Sequence, residues 1–251
     1  MKEMIFTVMD NVLLAAGVYR MSLRGEGLEK HRPGQFVNIA LEGKFLRRPI
    51  SVYDQEGEVL RLIYKTVGAG TEQMSRMKPG EKLDVLTGLG NGYDLSKAGD
   101  TPLLLGGGVG VPPLYLLARE LRAQGKTVTA VLGFNTSEEV FGEAEFRELG
   151  CAVTVTTADG SRGRKGFVTD AMPEEYSYFY TCGPEPMLRA VYKTAKTDGQ
   201  FSFEERMGCG FGACMGCSCR VKNPNEKEGI GYKRICREGP VLGKGEILWD
   251  A

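Results

Sequence analysis

The chain has 251 residues, 42% of them hydrophobic, and its 32 Lys plus Arg balance 32 Asp plus Glu. Zero formal charge argues against non-specific binding to nucleic acids or anionic membranes, which depends on excess positive charge. The single histidine, His31, nearly excludes Ser–His hydrolysis and His-rich zinc sites. No apolar run approaches the roughly 20 residues that span a bilayer, and the N-terminal segment is too acidic for a secretion signal. We therefore expect a cytoplasmic protein without membrane contact.

Residues 1–97 are predicted to form strands and turns. Short apolar or alternating runs occupy residues 34–41, 48–54, 58–68 and 81–92. They are separated by segments rich in Gly, Pro and charged residues, which are typical of β-turns. Short strands with such frequent turns predict an antiparallel barrel.

Residues 98–200 alternate between predicted strands and helices. The apolar segment "PLLL" leads through glycines into a helix with Pro112 and Pro113 in its first turn and Gly125 at its end. Further predicted elements are strands at 127–134, 152–158 and 176–183 and helices at 138–149 and 184–196. This alternation predicts a parallel sheet with helices on both faces.

The remaining segment, residues 201–251, is rich in Gly and Cys and is too short for a reliable core of its own, so a bound metal would help it fold. We therefore predict a multidomain protein, with a barrel at 1–97, an α/β domain at 98–200 and a small Cys-rich domain at 201–251.

Two glycine-containing turns follow predicted strands. In "LGGGVGVPPL", residues 105–114, the backbone is free to approach a phosphate beside a helix N-terminus. Val111 or Pro113 stands where the third glycine of G-x-G-x-x-G would fall, so an ordinary strand–helix turn stays an alternative. The second turn, "YTCGPEPML" at 180–188, lies at the carboxyl end of a strand, where ligands bind in open parallel sheets, and an ordinary turn with a buried Cys182 that serves packing is the alternative.

Four of the seven cysteines lie close together near the C-terminus. The spacing Cys209-x4-Cys214-x2-Cys217, with Cys236 further on, is that of plant-type [2Fe–2S] ligation. A four-cysteine zinc site is the alternative, but zinc sites usually pair two C-x2-C halves and only one is present. Cys219 is able to replace Cys217 in this pattern but is expected to point away as a spare thiol, and Cys151 is expected to serve packing alone.

The motifs "RRPISVY", "GGGVGVPPL" and "CGPEPML" resemble, in sequence and order, the ferredoxin–NADP reductase superfamily. The resemblance implies a flavin-binding barrel followed by a nicotinamide-binding domain. It places Arg48 at the FAD pyrophosphate and Ser51 near the reactive flavin N5. The further residues that it implies at the flavin are Pro49, Ile50, Ile63, Tyr64, Lys65, Gly70 and Thr71. Those that it implies at the nicotinamide nucleotide are Gly106, Gly107, Gly108, Gly110, Cys182, Gly183 and Pro184.

A narrower resemblance spans essentially the whole chain. "RRPISVY", "FEERMGCGFGACMGCSC" and "RICREGPVL" are similar to the electron-transfer subunits of type B dihydroorotate dehydrogenase, although the loop between Cys217 and Cys236 is somewhat long. The resemblance implies FAD, a [2Fe–2S] cluster held by Cys209, Cys214, Cys217 and Cys236, and NAD as cofactors. It also implies an FMN-containing catalytic partner in a heterotetramer of two copies of each subunit, acting in pyrimidine biosynthesis. No acid or base residue is required for hydride transfer.

Four further residues are assigned more loosely. Glu138 and Glu139 follow the second strand of the nicotinamide domain, where a 2′-phosphate site would have Arg or Lys, and this favours NAD over NADP. Glu204 and Arg206 are expected to anchor the cysteine loop, to face the flavin or to form ordinary surface. Two other functions stay open on sequence alone: a subunit of a ferredoxin- or hydrogenase-linked complex, and a zinc-stabilised module without activity.

Overall fold

The structure is a computed structural model that describes residues 1–223, 225–226 and 228–249. Pro224, Lys227, Asp250 and Ala251 belong to the predicted Cys-rich segment and lie outside the described residues. Among the described residues, no helix is both long and apolar enough to cross a membrane.

The N-terminal part of the chain closes into an antiparallel barrel of the predicted kind. In the described residues its strands follow the order β1-β2-β5-β4-β3-β6. They are β1 (Lys2–Ala15), β2 (Val18–Arg24), β3 (Phe36–Ile39), β4 (Arg48–Glu56), β5 (Val59–Lys65) and β6 (Lys82–Leu89). Along β1, the buried side chains of Met4, Phe6 and Val8 alternate with exposed or half-buried ones, as expected for a strand with one face on a core. A short helix, α1 (Ala69–Ser75), follows β5 and had not been predicted.

The second part is a doubly wound sheet in which six strands run parallel. Its elements are β7 (Leu103–Gly107), α2 (Pro112–Ala123), β8 (Thr129–Phe134), α3 (Glu143–Glu148), β9 (Ala152–Thr157), β10 (Arg164–Lys165), β11 (Phe179–Cys182), α4 (Glu185–Thr194) and β12 (Gly199–Ser202). The strand order of the described sheet is β10-β9-β8-β7-β11-β12, and β15 (Val241–Gly243) follows β12 at the edge. Because β7 and β11 are neighbours and parallel, the glycine turns that follow them meet at one edge of the sheet.

The Cys-rich tail is joined to this sheet. Its strands β13 (Ser218–Lys222) and β14 (Ile230–Arg234) form an antiparallel hairpin, whereas β15 (Val241–Gly243) pairs antiparallel with β12. Trp249 packs edge-on against Tyr192 and Phe201. The sheet thus crosses the boundary predicted at residue 200, and the division into 1–97, 98–200 and 201–251 stays a proposal.

The barrel and the sheet meet along α2. The rings of Tyr53 on β4 and Tyr115 on α2 stack with their centroids 4.4 Å apart. Next to them, the buried carboxylate of Asp54 accepts hydrogen bonds from Arg61 of the barrel, at 3.0 Å, and from Arg119 of α2. A buried carboxylate shared between two guanidinium groups fixes the relative position of the two parts.

Replacing Asp54 with Asn is expected to lower the free energy of unfolding by about 2 kcal/mol, because the partly buried Arg119 loses the carboxylate that it pairs with and Arg61 keeps only the exposed Glu56. The measurement is urea denaturation at neutral pH. Glu56→Gln is the matched control, since Glu56 binds Arg61 alone and its side chain is 77% exposed. We expect this control to stay within about 0.5 kcal/mol of the parent chain. Equal losses in both variants would contradict a special role for Asp54.

Candidate functional site

A cleft of about 440 Å³ lies between the barrel and the carboxyl edge of the parallel sheet. Three parts of the chain line it: the barrel, the two glycine turns and the tail. The predicted flavin and nicotinamide residues that line it are Arg48, Pro49, Ile50, Ser51, Ile63, Tyr64, Lys65, Thr71, Gly107, Gly108, Gly110, Cys182, Gly183 and Pro184. Residues far apart in sequence therefore meet in one cavity of a size typical for cofactor sites.

Two predicted residues do not line this cleft. A Cβ at Gly106 would lie 2.9 Å from Val111 Cγ2 and 3.1 Å from Leu114 Cδ1, so this glycine allows the strand to pack against α2. A Cβ at Gly70 would collide with Nε of Arg48. Gly70 thus makes room for the Arg48 guanidinium, whose Nη1 donates to the Leu46 carbonyl at 2.5 Å.

The Thr71 side chain closes the loop that joins β5 to α1, which the resemblance assigns to flavin binding. Its hydroxyl oxygen accepts hydrogen bonds from the backbone N–H groups of Val67, at 2.9 Å, and Gly68, at 3.3 Å. It also donates to the Gly68 carbonyl at 3.0 Å. Thr71 therefore shapes the loop that faces the cleft beside Arg48.

The two glycine turns touch at backbone level. A Cβ at Gly110 would collide with the Cys182 carbonyl, and a Cβ at Gly107 would lie 3.1 Å from Pro184 Cδ. The φ angle of Gly110 lies outside the left-handed region, so its backbone conformation does not require glycine. Glycine is required there because the two turns approach so closely. The turns form a floor of small residues on which a flat ring has room to lie.

Cys182 lies in this floor, at the end of β11. Burial raises the pKa of its thiol to about 12, so the side chain is a neutral thiol at physiological pH. A neutral, half-buried thiol suits contact with an uncharged ring better than nucleophilic attack.

An ion pair crosses the cleft from the barrel to the sheet domain. Lys65 Nζ lies 2.8 Å from Glu139 Oε1, and Glu139 Oε2 accepts hydrogen bonds from the Asn135 backbone N–H at 3.2 Å and side chain at 2.9 Å. Next to it, the Ala16 N–H donates to the Glu138 carbonyl at 3.0 Å. The Lys65 hydrogen bond is the largest cause that holds the pKa of Glu139 below its ordinary value of 4.5.

We predict that Lys65→Met and Glu139→Gln each lower the free energy of unfolding. In a double-mutant cycle the coupling energy between them should be about 0.5–1 kcal/mol. Because the pKa of Glu139 is lowered in the folded state, this stabilisation is present above about pH 4.5 and fades as pH falls through the lower, folded-state value. Urea denaturation at pH 7 and at progressively lower pH measures both. A coupling that persists after Glu139 is protonated would contradict the ion pair as its source.

The four cysteines of the predicted cluster site lie in two pairs. Cys209 Sγ accepts hydrogen bonds from the N–H groups of Ala213, at 3.2 Å, and Cys214, at 3.3 Å. Cys217 Sγ accepts a hydrogen bond from the Cys236 N–H at 3.5 Å. All seven cysteines are free thiols.

The loop favours the thiolate form at Cys209. Burial opposes this, but hydrogen bonds from the backbone of Cys214, Phe211 and Ala213 outweigh it and bring the pKa to about 6. Thiolate is the form that binds iron. Within the described ranges, no three His, Cys, Asp or Glu side chains converge as they would around a single ion. The cysteine spacing, with a single C-x2-C pair, fits a [2Fe–2S] site better than a four-cysteine zinc site.

Two further cysteines, Cys219 and Cys151, are not members of these pairs. Cys219 is on β13 opposite Lys233, it lines a separate cavity of about 340 Å³, and burial is the main cause that raises its pKa. Cys151 is buried in the apolar core, and burial raises its pKa to about 11. Glu204 lines the cleft, whereas Arg206 is exposed.

Sequence reasoning missed several residues of the cleft. Phe36 from β3 and Phe203, Met207 and Pro240 from the tail all line it. None carries a chemical signature, because an apolar residue in a strand or beside a cysteine loop is ordinary in sequence. The Cys-rich tail therefore forms part of the cleft wall.

Known proteins share this combination. The model of the iron–sulfur cluster binding domain of dihydroorotate dehydrogenase B matches residues 204–248, and that of the oxidoreductase NAD-binding domain matches residues 104–193. The electron transfer subunit of dihydroorotate dehydrogenase B (NAD(+)) from Geobacillus sp. (strain WCH70) is 44% identical, with 99% of each chain covered. That from Shouchella clausii is 43% identical over 98% of each chain. The chain belongs to this family of electron transfer subunits.

Solved structures show the same architecture. The structure of an NADH-dependent reduced ferredoxin-NADP oxidoreductase superposes with a TM-score of 0.85 and 32% identity, covering 97% of this chain and 90% of that one. The Amycolatopsis cytochrome P450 reductase GcoB superposes with a TM-score of 0.69 and 23% identity, covering 78% and 66%, which shows a shared fold. The predicted resemblance and the predicted fold class are both confirmed.

Proposed function

We propose that this chain carries electrons to NAD from a catalytic subunit that oxidises dihydroorotate. The electrons pass by way of a [2Fe–2S] cluster and FAD. Membership of the electron transfer subunit family supports the role, and the matched domains and fold support the three cofactors. One observation carries the proposal furthest. The flavin motif, the glycine turns and the tail residues Phe203, Met207 and Pro240 all line the same cleft, so a flavin there would face a nicotinamide and lie beside the tail that carries the cluster cysteines.

The residues present fit FAD in this cleft. Arg48 offers a guanidinium fork suited to a pyrophosphate, and Gly70 leaves room for it. Ser51 lies three residues along the same strand and is half-buried at the cleft, where we place the flavin ring and its reactive N5. Ile63, Tyr64 and the apolar Phe36 would exclude water from the ring.

The opposite wall fits a nicotinamide nucleotide. Gly107, Gly108 and Gly110 present backbone near a helix N-terminus, where phosphate oxygens are stabilised. Cys182, Gly183 and Pro184 would contact the nicotinamide ring, and the Cys182 thiol, held neutral by burial, would not act on the ring as a thiolate nucleophile. Holding the two rings face to face is the main contribution of the protein to this step.

In the tail, Cys209 and Cys214 would bind one iron, and Cys217 and Cys236 the other. The backbone hydrogen bonds from Cys214 to the Cys209 sulfur and from Cys236 to the Cys217 sulfur support this assignment, and the N–H groups directed at Cys209 would tune the reduction potential. When bound, the flavin supplies the conversion between single electrons and a hydride, which a one-electron cluster does not perform. The cytoplasmic location and the assembly of two copies of each subunit stay predictions.

The likeness to the ferredoxin-NADP oxidoreductase favours one alternative, in which the same modules serve another electron donor. The higher identity to dihydroorotate dehydrogenase B subunits, 44% against 32%, favours the first function. Only the partner separates these two possibilities.

The deciding experiment uses the full chain, purified without oxygen. Its visible spectrum should show flavin and iron–sulfur bands that bleach on addition of NADH, and the chain alone should not oxidise dihydroorotate. With an FMN-containing dihydroorotate dehydrogenase catalytic subunit added, dihydroorotate should reduce NAD. A colourless chain, or dihydroorotate oxidation without a partner, would overturn the proposal.

A further inference from the structure

The outer face of β3 lies against the Cys-rich tail. Val37 and Ile39 point into the barrel core, so Phe36 and Asn38, which alternate with them, point outwards. Phe36 belongs to the same group of buried hydrophobic residues as Cys217 and Cys236. It also lines the cleft and pairs in register with Ser51 of the flavin motif. One strand therefore reaches both the flavin cleft and the cluster-binding tail.

Asn38 contacts the tail at a cluster ligand. The residue is only 1% exposed. Its side-chain Nδ2 donates a hydrogen bond to the Cys209 carbonyl at 3.3 Å. The next residue, Gly210, has φ of +76°, and a Cβ there would collide with the Asn38 amide nitrogen. The loop thus presses its backbone directly onto this amide.

The loop needs such attachments because it has little structure of its own. Between β12 and β13, the described residues 203–217 contain no helix or strand. On the far side of the cluster site, Asn91 Nδ2 donates to the carbonyls of Glu238, at 3.1 Å, and Val241, at 2.7 Å. Two barrel asparagines therefore hold the tail, one at Cys209 and one beyond Cys236.

Asn38 differs from Asn91 in one respect. Asn91 Oδ1 accepts a hydrogen bond from the Val241 N–H at 3.1 Å, whereas Asn38 Oδ1 is buried and has no partner in the part of the chain that the structure describes. A buried, unpaired amide oxygen costs roughly 1–3 kcal/mol, so a well-packed leucine would serve stability as well or better. The asparagine is therefore explained better by what its amide group holds than by stability.

We propose that Asn38 is a positioning residue for electron transfer between the flavin and the cluster. It fixes the Cys209 carbonyl, and with it the first cluster ligand, against the strand that carries the flavin-facing Phe36. The inference rests on the proposed function, since it supposes a flavin in the cleft and a cluster in the tail. It predicts that loss of the amide slows the step between the two cofactors and leaves the step from NADH to flavin unchanged.

The test uses the full chain, loaded with FAD and cluster, and compares Asn38→Leu and Asn38→Ser with the parent. Leucine matches the volume but has no donor, and serine keeps a donor of shorter reach. Thr87→Val is the matched control. Thr87 is a buried barrel residue whose Oγ1 donates to the Lys2 carbonyl at 3.2 Å, so valine removes a side-chain to backbone hydrogen bond within the barrel and leaves the two asparagine contacts to the tail in place.

Two kinds of rate are measured. The first is the rate at which the flavin and cluster bands bleach after rapid anaerobic mixing with NADH, and the second is the rate at which an iron chelator removes iron. NADH supplies two electrons as a hydride to the flavin, and one of them then reduces the cluster by one electron while the other stays on the flavin. In Asn38→Leu, cluster bleaching should be about tenfold slower and iron release to the chelator about tenfold faster than in the parent. Flavin bleaching should stay within about twofold of the parent, and Asn38→Ser should lie between Leu and the parent.

Rates of cluster bleaching and iron release in Asn38→Leu equal to those in Thr87→Val would overturn the inference. Should Asn38→Leu fail to load a cluster, the same comparison with Asn38→Ser decides. Failure of the proposed function is seen separately, because the parent chain itself would then lack flavin and cluster bands or would ignore NADH. Normal bleaching in the parent with unchanged Asn38 variants would reject the role of Asn38 alone.

Discussion

Replacing Cys209, Cys214, Cys217 or Cys236 singly with serine is expected to reduce bound iron from about two atoms per chain to nearly none. Each replacement removes one of four thiolates, and two irons bridged by sulfide have no spare ligand of equal affinity. The measurement is iron content together with the visible spectrum of the anaerobically purified protein. Flavin bands should remain, since the barrel that we assign to FAD binding closes without these cysteines.

Cys219→Ser and Cys151→Ser are the matched controls, and both should keep their iron. Cys219 lies on β13 and lines a separate cavity, and Cys151 is buried in the core of the sheet domain. These controls also settle a question of spacing, because Cys219 follows Cys217 by only two residues. Loss of iron in Cys219→Ser with retention in Cys217→Ser would contradict the ligand set.

The spacing of the cysteines illustrates what the sequence is able to predict. Cys209, Cys214 and Cys217 lie within nine residues of one loop and are able to reach a shared site whatever the surrounding fold, so their chemistry is visible from the sequence. The same holds for the strand–glycine–helix segment around Gly107 and Gly110, where local backbone chemistry indicates a phosphate site. The barrel, too, is predicted by short strands and frequent turns, although the long β1 and the helix α1 were not specified.

Contacts between distant segments are what the sequence does not reveal. Nothing in the tail sequence indicates that β15 adds to the sheet beside β12, since three apolar residues fit many environments. The pairing of Lys65 with Glu139 depends on how the barrel packs against the sheet domain, and the contact of Asn38 with Cys209 depends on how it packs against the tail. Glu139 was predicted from its position to favour NAD, and the structure shows that its carboxylate is bound by Lys65.

Gly110→Ala is expected to have the largest effect on the nicotinamide side of the cleft. The added Cβ would collide with the Cys182 carbonyl and push the two glycine turns apart, at a cost of about 1–3 kcal/mol in folding stability. If the turns separate by about 1 Å, kcat/KM for NADH should fall about 100-fold, because ring alignment depends on this floor. NADH-driven reduction of ferricyanide by the chain, with flavin content measured alongside, tests this.

Crowding alone would also destabilise the domain, so the control must crowd the same domain elsewhere. Gly199→Ala does so, since a Cβ on β12 would collide with the ring of Phe179, and Gly199 is not among the residues of the cleft. We expect a loss of unfolding stability similar to that of Gly110→Ala, with kcat/KM for NADH within about twofold of the parent. Equal kinetic losses in the two variants would show that Gly110 acts through stability. A loss confined to Gly110→Ala would tie hydride transfer to the contact between the turns after β7 and β11, which is the contact that parallel strand order creates.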